Sequence, residues 1–340
     1  MIINPYTLIA LLTDFLSLII ILTAAISALY YFRQWKGNDA PDEKAFAETK
    51  VYLSFLVAFT ALLLRVISWP LFYIMLQSFI PLVPGAMCIF GTTQVMPSLT
   101  VFLEIVKPIT FFLIGGWLIF YRFELSLKTH HLMIRSLIAL LLVSTVAGIE
   151  TMTELFFILT FSPPGLPVSC CTAIADIEMP SVPLIPLPIL ANQYHRLLSI
   201  AYHVVNVSLI VFIGYALARG WWKVDDNRRR LLLTLFTITV LINAGVSYIA
   251  LKEAIGPRLM NLPDHNCLYC LVQYRPAFII ALCLFIVGTF SPAWALSIDL
   301  LATTGDARSK SSQYVRTLLL CSFYSLLGSW ILTWVLTLRV

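Results

Sequence analysis

The residues best suited to chemistry form a short motif in the last third of the chain, Asp-His-Asn-Cys-Leu-Tyr-Cys at positions 264–270. Its thiols, Cys267 and Cys270, have the CxxC spacing found in redox-active and metal-binding sites. We expect a helix to begin just after the motif, near Pro276. The helix dipole and the nearby cation of Arg275 then favour a thiolate, the species that attacks a disulfide or binds a metal. The motif is not a c-type haem site, because leucine rather than histidine follows the second cysteine.

The stretch from Cys267 to Arg275, Cys-Leu-Tyr-Cys-Leu-Val-Gln-Tyr-Arg, precedes an apolar run and resembles the DsbB family of quinone-reducing, disulfide-forming membrane proteins. The resemblance implies thiol–disulfide exchange by Cys267 and Cys270, a quinone cofactor near Arg275, and a periplasmic thiol protein as partner. The arginine stands one place later than in that family, whose bundle has four helices rather than the larger number expected here. A second redox pair would come from the remaining loop cysteines, Cys88, Cys170 and Cys171.

A second interpretation of the same residues is metal binding or metal transport. Thiolate and imidazole ligands suit zinc, copper(I) or an iron–sulfur cluster. The candidate ligands are Cys88, Cys170, Cys171, His265, Cys267 and Cys270. The sequence therefore leaves the cofactor open between a quinone and a metal ion.

A third interpretation is non-enzymatic: a membrane subunit, assembly factor or small-molecule carrier whose loops are tied together by disulfides. One disulfide commonly contributes about 2–4 kcal/mol by constraining the unfolded chain, which alone could account for cysteines in loops. The five loop cysteines are an odd number, however, and this leaves one for a reactive thiol, a metal or a partner's cysteine. Other membrane subunits would then be the partners.

The elements that must position these residues are membrane-spanning helices. Hydrophobic residues make up 60% of the chain and charged residues 11%, and the mean hydropathy is +0.90. A bilayer span needs about 20 mostly apolar residues. The sequence predicts an all-α polytopic bundle, a single transmembrane domain over 1–340, with spans near 7–32, 51–80, 99–122, 132–161, 197–220, 231–255, 277–302 and 317–338.

The basic residues predict how these spans are oriented. Four alternate connections, 33–50, 122–135, 219–230 and 303–316, hold fifteen of the twenty-two Lys and Arg residues. By the positive-inside rule these connections are cytoplasmic, and both termini lie outside. This topology explains the net charge of +5 without nucleic acid as a partner.

The loop cysteines all fall on the predicted outer side, in the loops 81–98, 162–196 and 256–276. Cysteines on that side suit an oxidising compartment, and we therefore expect an integral protein of a bacterial inner membrane with periplasmic loops. Cys283 and Cys321 lie within spans and are expected to be packing residues.

Ionisable residues inside the spans predict a polar layer beneath the outer loops. Such residues usually face the interior of a bundle and mark a functional site or a structural ion pair. The layer comprises Asp14, Arg65, Glu104, Lys107, Glu150, Glu154, His203, Lys252 and Glu253. It is predicted either to line a polar cavity opening outward, the candidate cofactor site, or to form a purely structural network in which Arg65 and Lys107 neutralise the carboxylates.

Overall fold

A computed structural model of the protein describes residues 4–37, 41–127, 132–168, 193–262, 265–302 and 305–338. Within these ranges the chain is helical and contains no strand. Eight of the helices are long and apolar enough to cross a membrane. The predicted class, an all-α polytopic membrane protein with eight spans, is confirmed. The chain divides into two compact units, residues 1–170 (unit 1) and residues 171–340 (unit 2).

Unit 1 contains four long helices and one short one. They are α1 (Pro5–Gly37), α2 (Pro41–Phe79), α3 (Ile89–Thr93), α4 (Pro97–Leu125) and α5 (Met133–Thr160). The long helices follow a simple up-and-down order, in which each contacts the next and α5 returns to contact α1. Short connections between antiparallel neighbours favour this arrangement.

The first helix shows how unit 1 places its side chains. Its buried face carries small or polar residues at helical spacing, including Ala10, Asp14 and Ser17. Leu12 and Phe15, on the opposite face, are exposed. Exposed apolar surface of this extent is expected where lipid rather than water surrounds the helices. Unit 1 therefore keeps its polar groups inside and presents hydrocarbon outward.

The described part of unit 2 also contains four long helices, together with two short ones. They are α6 (Tyr194–Ala218), α7 (Asp226–Ala250), α8 (Gly256–Met260), α9 (Leu268–Tyr274), α10 (Phe278–Leu301) and α11 (Gly305–Leu338). A π-helical segment, Leu251–Ile255, joins α7 to α8. The long helices again contact their neighbours in sequence, with α11 closing onto α6.

Small residues hold α10 and α11 close together. The Ser322 hydroxyl donates to the backbone oxygen of Gly288 at 2.7 Å, and the Ser329 hydroxyl donates to that of Ala281 at 2.8 Å. A Cβ atom added at Gly288 would lie 2.7 Å from Leu326 Cγ, closer than packed carbons allow. This close approach is typical of helix pairs in membranes, where small residues and hydroxyls replace the hydrophobic driving force.

The eight predicted spans agree with the observed helices to within a few residues at most ends. Two helix starts are exceptions, since α2 begins at Pro41 rather than near residue 51 and α11 begins at Gly305 rather than near residue 317. Hydropathy could not place these ends, because a helix can continue beyond the membrane in polar residues.

Candidate functional site

The CxxC motif lies on a short helix of its own in unit 2. Cys267 occupies the N-cap position of α9, and the Leu271 N–H donates to its carbonyl oxygen at 3.1 Å. The sulfur atoms of Cys267 and Cys270 lie within 4.8 Å of each other. The sequence predicted one helix near Pro276 directly after the motif, whereas the structure places the seven-residue α9 before the span that begins at Phe278.

The two cysteines differ in exposure. Cys270 is buried, with 6% of its surface exposed, whereas Cys267 is partly exposed. Residues three positions apart on a helix face the same side, with Cβ atoms about 5–6 Å apart. The motif therefore presents one accessible and one protected sulfur on the same face of a helix. No disulfide joins this pair.

Arg275 fixes the end of the CxxC helix. Its Nε donates to the backbone oxygen of Leu259 in α8 at 2.9 Å, and its backbone N–H donates to the carbonyl of Leu271 at 2.8 Å. Leu271 is fully buried and anchors the same helix in unit 2. The arginine singled out in the sequence thus ties α9 to α8 through a backbone carbonyl.

The segment that leads to the motif has an unusual backbone. The π-helical turn ends at Gly256, where a Cβ atom would lie 2.5 Å from the carbonyl oxygen of Leu251, so only glycine fits. Within this turn the Glu253 side chain accepts a hydrogen bond from Tyr194 Oη at 2.5 Å, and its backbone oxygen lies 2.7 Å from His195 Nδ1. Single π-helical turns occur often at functional sites.

Among the other loop cysteines, the structure describes Cys88. This residue, in unit 1, is fully buried at the N-cap of α3. Its loop is joined to the segment after α5, since the Val168 N–H donates to the Pro84 oxygen at 2.9 Å. Gly85, with φ +81°, allows this contact, because a Cβ atom there would lie 2.6 Å from the Val168 oxygen. Cys170 and Cys171 lie outside the described residues, as does Asp264.

The histidine of the motif, His265, is 9% exposed and stands two residues before the first cysteine. Cys267 and Cys270 could offer two thiolate ligands, half of the four that a structural zinc site takes. The metal-binding interpretation of the six candidate ligands stays a prediction.

Five charged residues of the predicted polar layer meet in the interior of unit 1, and we refer to Asp14, Arg65, Lys107, Glu150 and Glu154 as the ion cluster. Arg65 lies at its centre: its Nε and Nη2 donate to the two oxygens of Glu150 at 2.9 and 2.6 Å. Its Nη1 donates to Asp14 at 2.5 Å, and Nη2 also contacts Glu154. Lys107 Nζ bridges Glu150 at 2.8 Å and Glu154 at 2.7 Å.

Four separate helices contribute to the ion cluster. Glu150 and Glu154 are four residues apart on α5, so the predicted shared helix face is observed. The other members come from α1, α2 and α4, and every side chain of the cluster is 1–3% exposed. A small cavity reaches it, lined by Arg65, Lys107 and Glu150 together with Val66, Trp69, Thr110, Phe111 and Ile114.

Three other members of the predicted polar layer are not part of the ion cluster. His203 belongs to unit 2, where its Nδ1 accepts a hydrogen bond from Trp330 Nε1 at 3.1 Å. Glu104 is half-buried on α4. Glu253 belongs to the π-helical turn. Five of the residues predicted for the layer therefore form the ion cluster.

Unit 2 contains two further buried polar contacts, a set of neutral side chains and an ion pair. In the first, Asn243 Nδ2 donates to Asn206 Oδ1 at 3.2 Å, and Asn206 Nδ2 donates to Ser247 Oγ at 3.1 Å; the three side chains are buried. Near the predicted cytoplasmic end, Arg229 pairs with Asp299 at 2.5 Å. Sequence reasoning missed the asparagine pair, although two amides inside apolar spans are themselves a signal of interhelical hydrogen bonding.

Searches for similar proteins gave no match among family models, curated proteins or solved structures. The geometry of the two units is therefore the basis for any statement about function.

Proposed function

We propose that this multi-pass membrane protein carries out thiol–disulfide exchange at Cys267 and Cys270, on the outer side of the membrane. The observation that supports the proposal is the pairing of a partly exposed with a buried sulfur, within 4.8 Å, on one short helix. A second support is the resemblance of residues 267–275 to the DsbB motif. The partner is a soluble protein that carries a dithiol.

The spacing allows the pair to alternate between dithiol and disulfide. A disulfide requires Cα atoms about 4.4–6.8 Å apart, and residues at i and i+3 of a helix fall in that range. The sulfurs can therefore approach by side-chain rotation while the backbone of α9 stays in place. Arg275 and the buried Leu271 hold that backbone.

The exchange follows from the difference in exposure. A thiolate of the partner attacks the sulfur of Cys267, and the electron pair of the breaking S–S bond moves to the sulfur of Cys270. The partner's second thiolate then attacks the partner's first sulfur in the mixed disulfide, which forms the partner's disulfide and releases the thiolate of Cys267. Two electrons and two protons pass from the partner dithiol to the cysteine pair. The pair returns to the disulfide by passing two electrons and two protons to an oxidant, and a membrane quinone, reduced to the quinol, would supply that chemistry.

The decisive experiment is trapping of the mixed disulfide in the full-length protein, in membranes. When the partner is supplied in its disulfide form, the Cys267 thiolate of Cys270→Ser should attack that disulfide, and the mixed disulfide should be recovered after acid quenching and alkylation. Cys267→Ser should give at least tenfold less of it, because Cys270 is buried. Cys283→Ser and Cys321→Ser, both within spans, are the matched controls and should behave as the wild type. Equal trapping by the two motif variants, or no trapping by either, would contradict the proposal.

The electron acceptor is tested separately on purified, reduced protein. Addition of a water-soluble benzoquinone should restore the disulfide between Cys267 and Cys270, measured as loss of two alkylatable thiols. If the pair accepts electrons from a dithiol but is never reoxidised by quinone, the exchange step stands and the quinone step is wrong.

A further inference from the structure

The ion cluster of unit 1 has an unequal number of charges. Asp14, Glu150 and Glu154 contribute three carboxylates, whereas Arg65 and Lys107 contribute two cations. Fully ionised, the cluster would carry one negative charge inside a membrane-spanning bundle. An uncompensated buried charge costs several kcal/mol, and buried groups avoid this cost by becoming neutral.

The hydrogen bonds indicate which of the three carboxyl groups holds the negative charge that the two cations do not balance. Glu150 accepts three hydrogen bonds from Arg65 and Lys107, and Glu154 accepts one from each of these cations. Asp14 accepts one, from Arg65 to Oδ1, and its buried Oδ2 has no hydrogen-bond partner among the described residues. Asp14 is thus the carboxyl least stabilised as an anion.

We propose that unit 1 contains an intramembrane proton-binding site, with one exchangeable proton on Asp14. Binding of a proton makes the cluster neutral, with Glu150 and Glu154 balanced by the two cations. Release of the proton leaves a net charge of −1 that is shared through Arg65. The proposal stands independently of the cysteine chemistry, because it depends on side chains of unit 1 alone.

A small cavity beside the cluster, which contacts Glu150 rather than Asp14, offers room for a water molecule. Arg65, Lys107 and Glu150 contribute to its wall, and Thr110 adds a hydroxyl. A polar space of this kind can hold about one water molecule when two or more polar groups surround it. Water there can pass a proton to the cluster. Networks of carboxylates in membrane helices serve as proton relays in the same way.

Infrared spectroscopy of the full-length protein in lipid bilayers tests the proposal. A protonated carboxyl gives a C=O band that a carboxylate lacks, and biosynthetic labelling of aspartate with heavy carbon shifts this band only for aspartic acids. The label is needed because Glu124, also buried in unit 1, could contribute a band of its own. The wild type should show one labelled band at neutral pH, and alkaline titration should abolish it with release of one proton per molecule.

Two variants and one control assign the band. Asp14→Asn should remove it, and Asp14→Glu, which keeps the carboxyl group, should move it from the aspartate to the glutamate label even if the asparagine variant fails to fold. Asp299→Asn is the matched control, because Asp299 is equally buried but has its own cation in Arg229, and it should keep the band.

Three results would overturn the proposal. These are an absence of any aspartic acid band between neutral and alkaline pH, a band that survives both Asp14 variants, and a band abolished by sodium or potassium at constant pH. The last result would identify a site for a monovalent cation instead.

Discussion

Units 1 and 2 arrange four long helices in the same sequential order but fill their interiors with different chemistry. Unit 1 buries three carboxylates and two cations near one another. The middle of unit 2 buries neutral groups, Asn206, Asn243 and Ser247, and its α10 and α11 approach closely over small residues. The same order of helices can thus be stabilised by buried ion pairs, as in unit 1, or by close packing of small residues, as in unit 2. We expect the stability of the two units to respond differently to substitution.

The difference also separates the two candidate activities. In unit 1 the reactive groups lie within the spans, where water is scarce and charge is costly. In unit 2 the cysteines lie on a short helix between spans, where a soluble partner can approach the exposed sulfur. The described interior of unit 2 then serves mainly to hold the helices that flank α9.

The largest effect should come from Lys107→Met. This change leaves three carboxylates with one cation, and breaking a buried ion pair in this way costs about 3–5 kcal/mol. The free energy of unfolding in detergent or lipid should fall by that amount. Lys223→Met, at an exposed lysine between α6 and α7, is the matched control and should change it by less than about 0.5 kcal/mol. Equal losses of stability at the two sites would show that the ion pairs of Lys107 contribute no more to stability than an exposed lysine does.

The second effect concerns shape. Gly288→Ala should destabilise the protein by about 1–3 kcal/mol, because its Cβ would lie 2.7 Å from Leu326 Cγ and 3.0 Å from the backbone nitrogen of Leu326. Gly148→Ala in α5 of unit 1 has no atom within 4 Å of the added Cβ and should be neutral or slightly stabilising. Unfolding of both variants under the same conditions measures the contrast. A larger loss at Gly148 would reverse it.

A smaller effect is expected at the amide pair of unit 2. Asn206→Leu keeps the branched shape and the number of side-chain heavy atoms but removes hydrogen bonds to Ser247 and Asn243. Interhelical hydrogen bonds in membranes average about 0.6 kcal/mol. A double-mutant cycle with Asn243→Leu should give a coupling energy of about that size. A coupling energy near 3 kcal/mol would make unit 2 as dependent on polar contacts as unit 1.

The smallest effect should come from Asp14→Asn. If Asp14 is already protonated, asparagine replaces one neutral group by another, and stability should change by less than about 0.5 kcal/mol. Glu150→Gln is the matched comparison, since it removes a carboxylate that accepts three hydrogen bonds and should cost several times more. A loss at Asp14 as large as that at Glu150 would mean that Asp14 is held as an anion.

Much of the architecture could be predicted from the sequence. Eight spans follow from hydropathy and length, because a helix in lipid must satisfy its own backbone hydrogen bonds wherever it lies in the chain. The CxxC motif was also visible, since its spacing is local. The predicted orientation, with cysteine loops outside, follows from basic residues and stays a prediction.

Only the tertiary structure decided which charges meet. Arg65 contacts carboxylates 51, 85 and 89 residues away along the chain, and nothing local to Arg65 indicates which faces of α1 and α5 turn toward it. The sequence predicted a polar layer of nine ionisable residues. Helix rotation and packing bring five of them together, whereas His203 accepts a hydrogen bond from Trp330. Composition and spacing determine elements whose interactions are local, whereas a site built from four helices depends on how those helices pack.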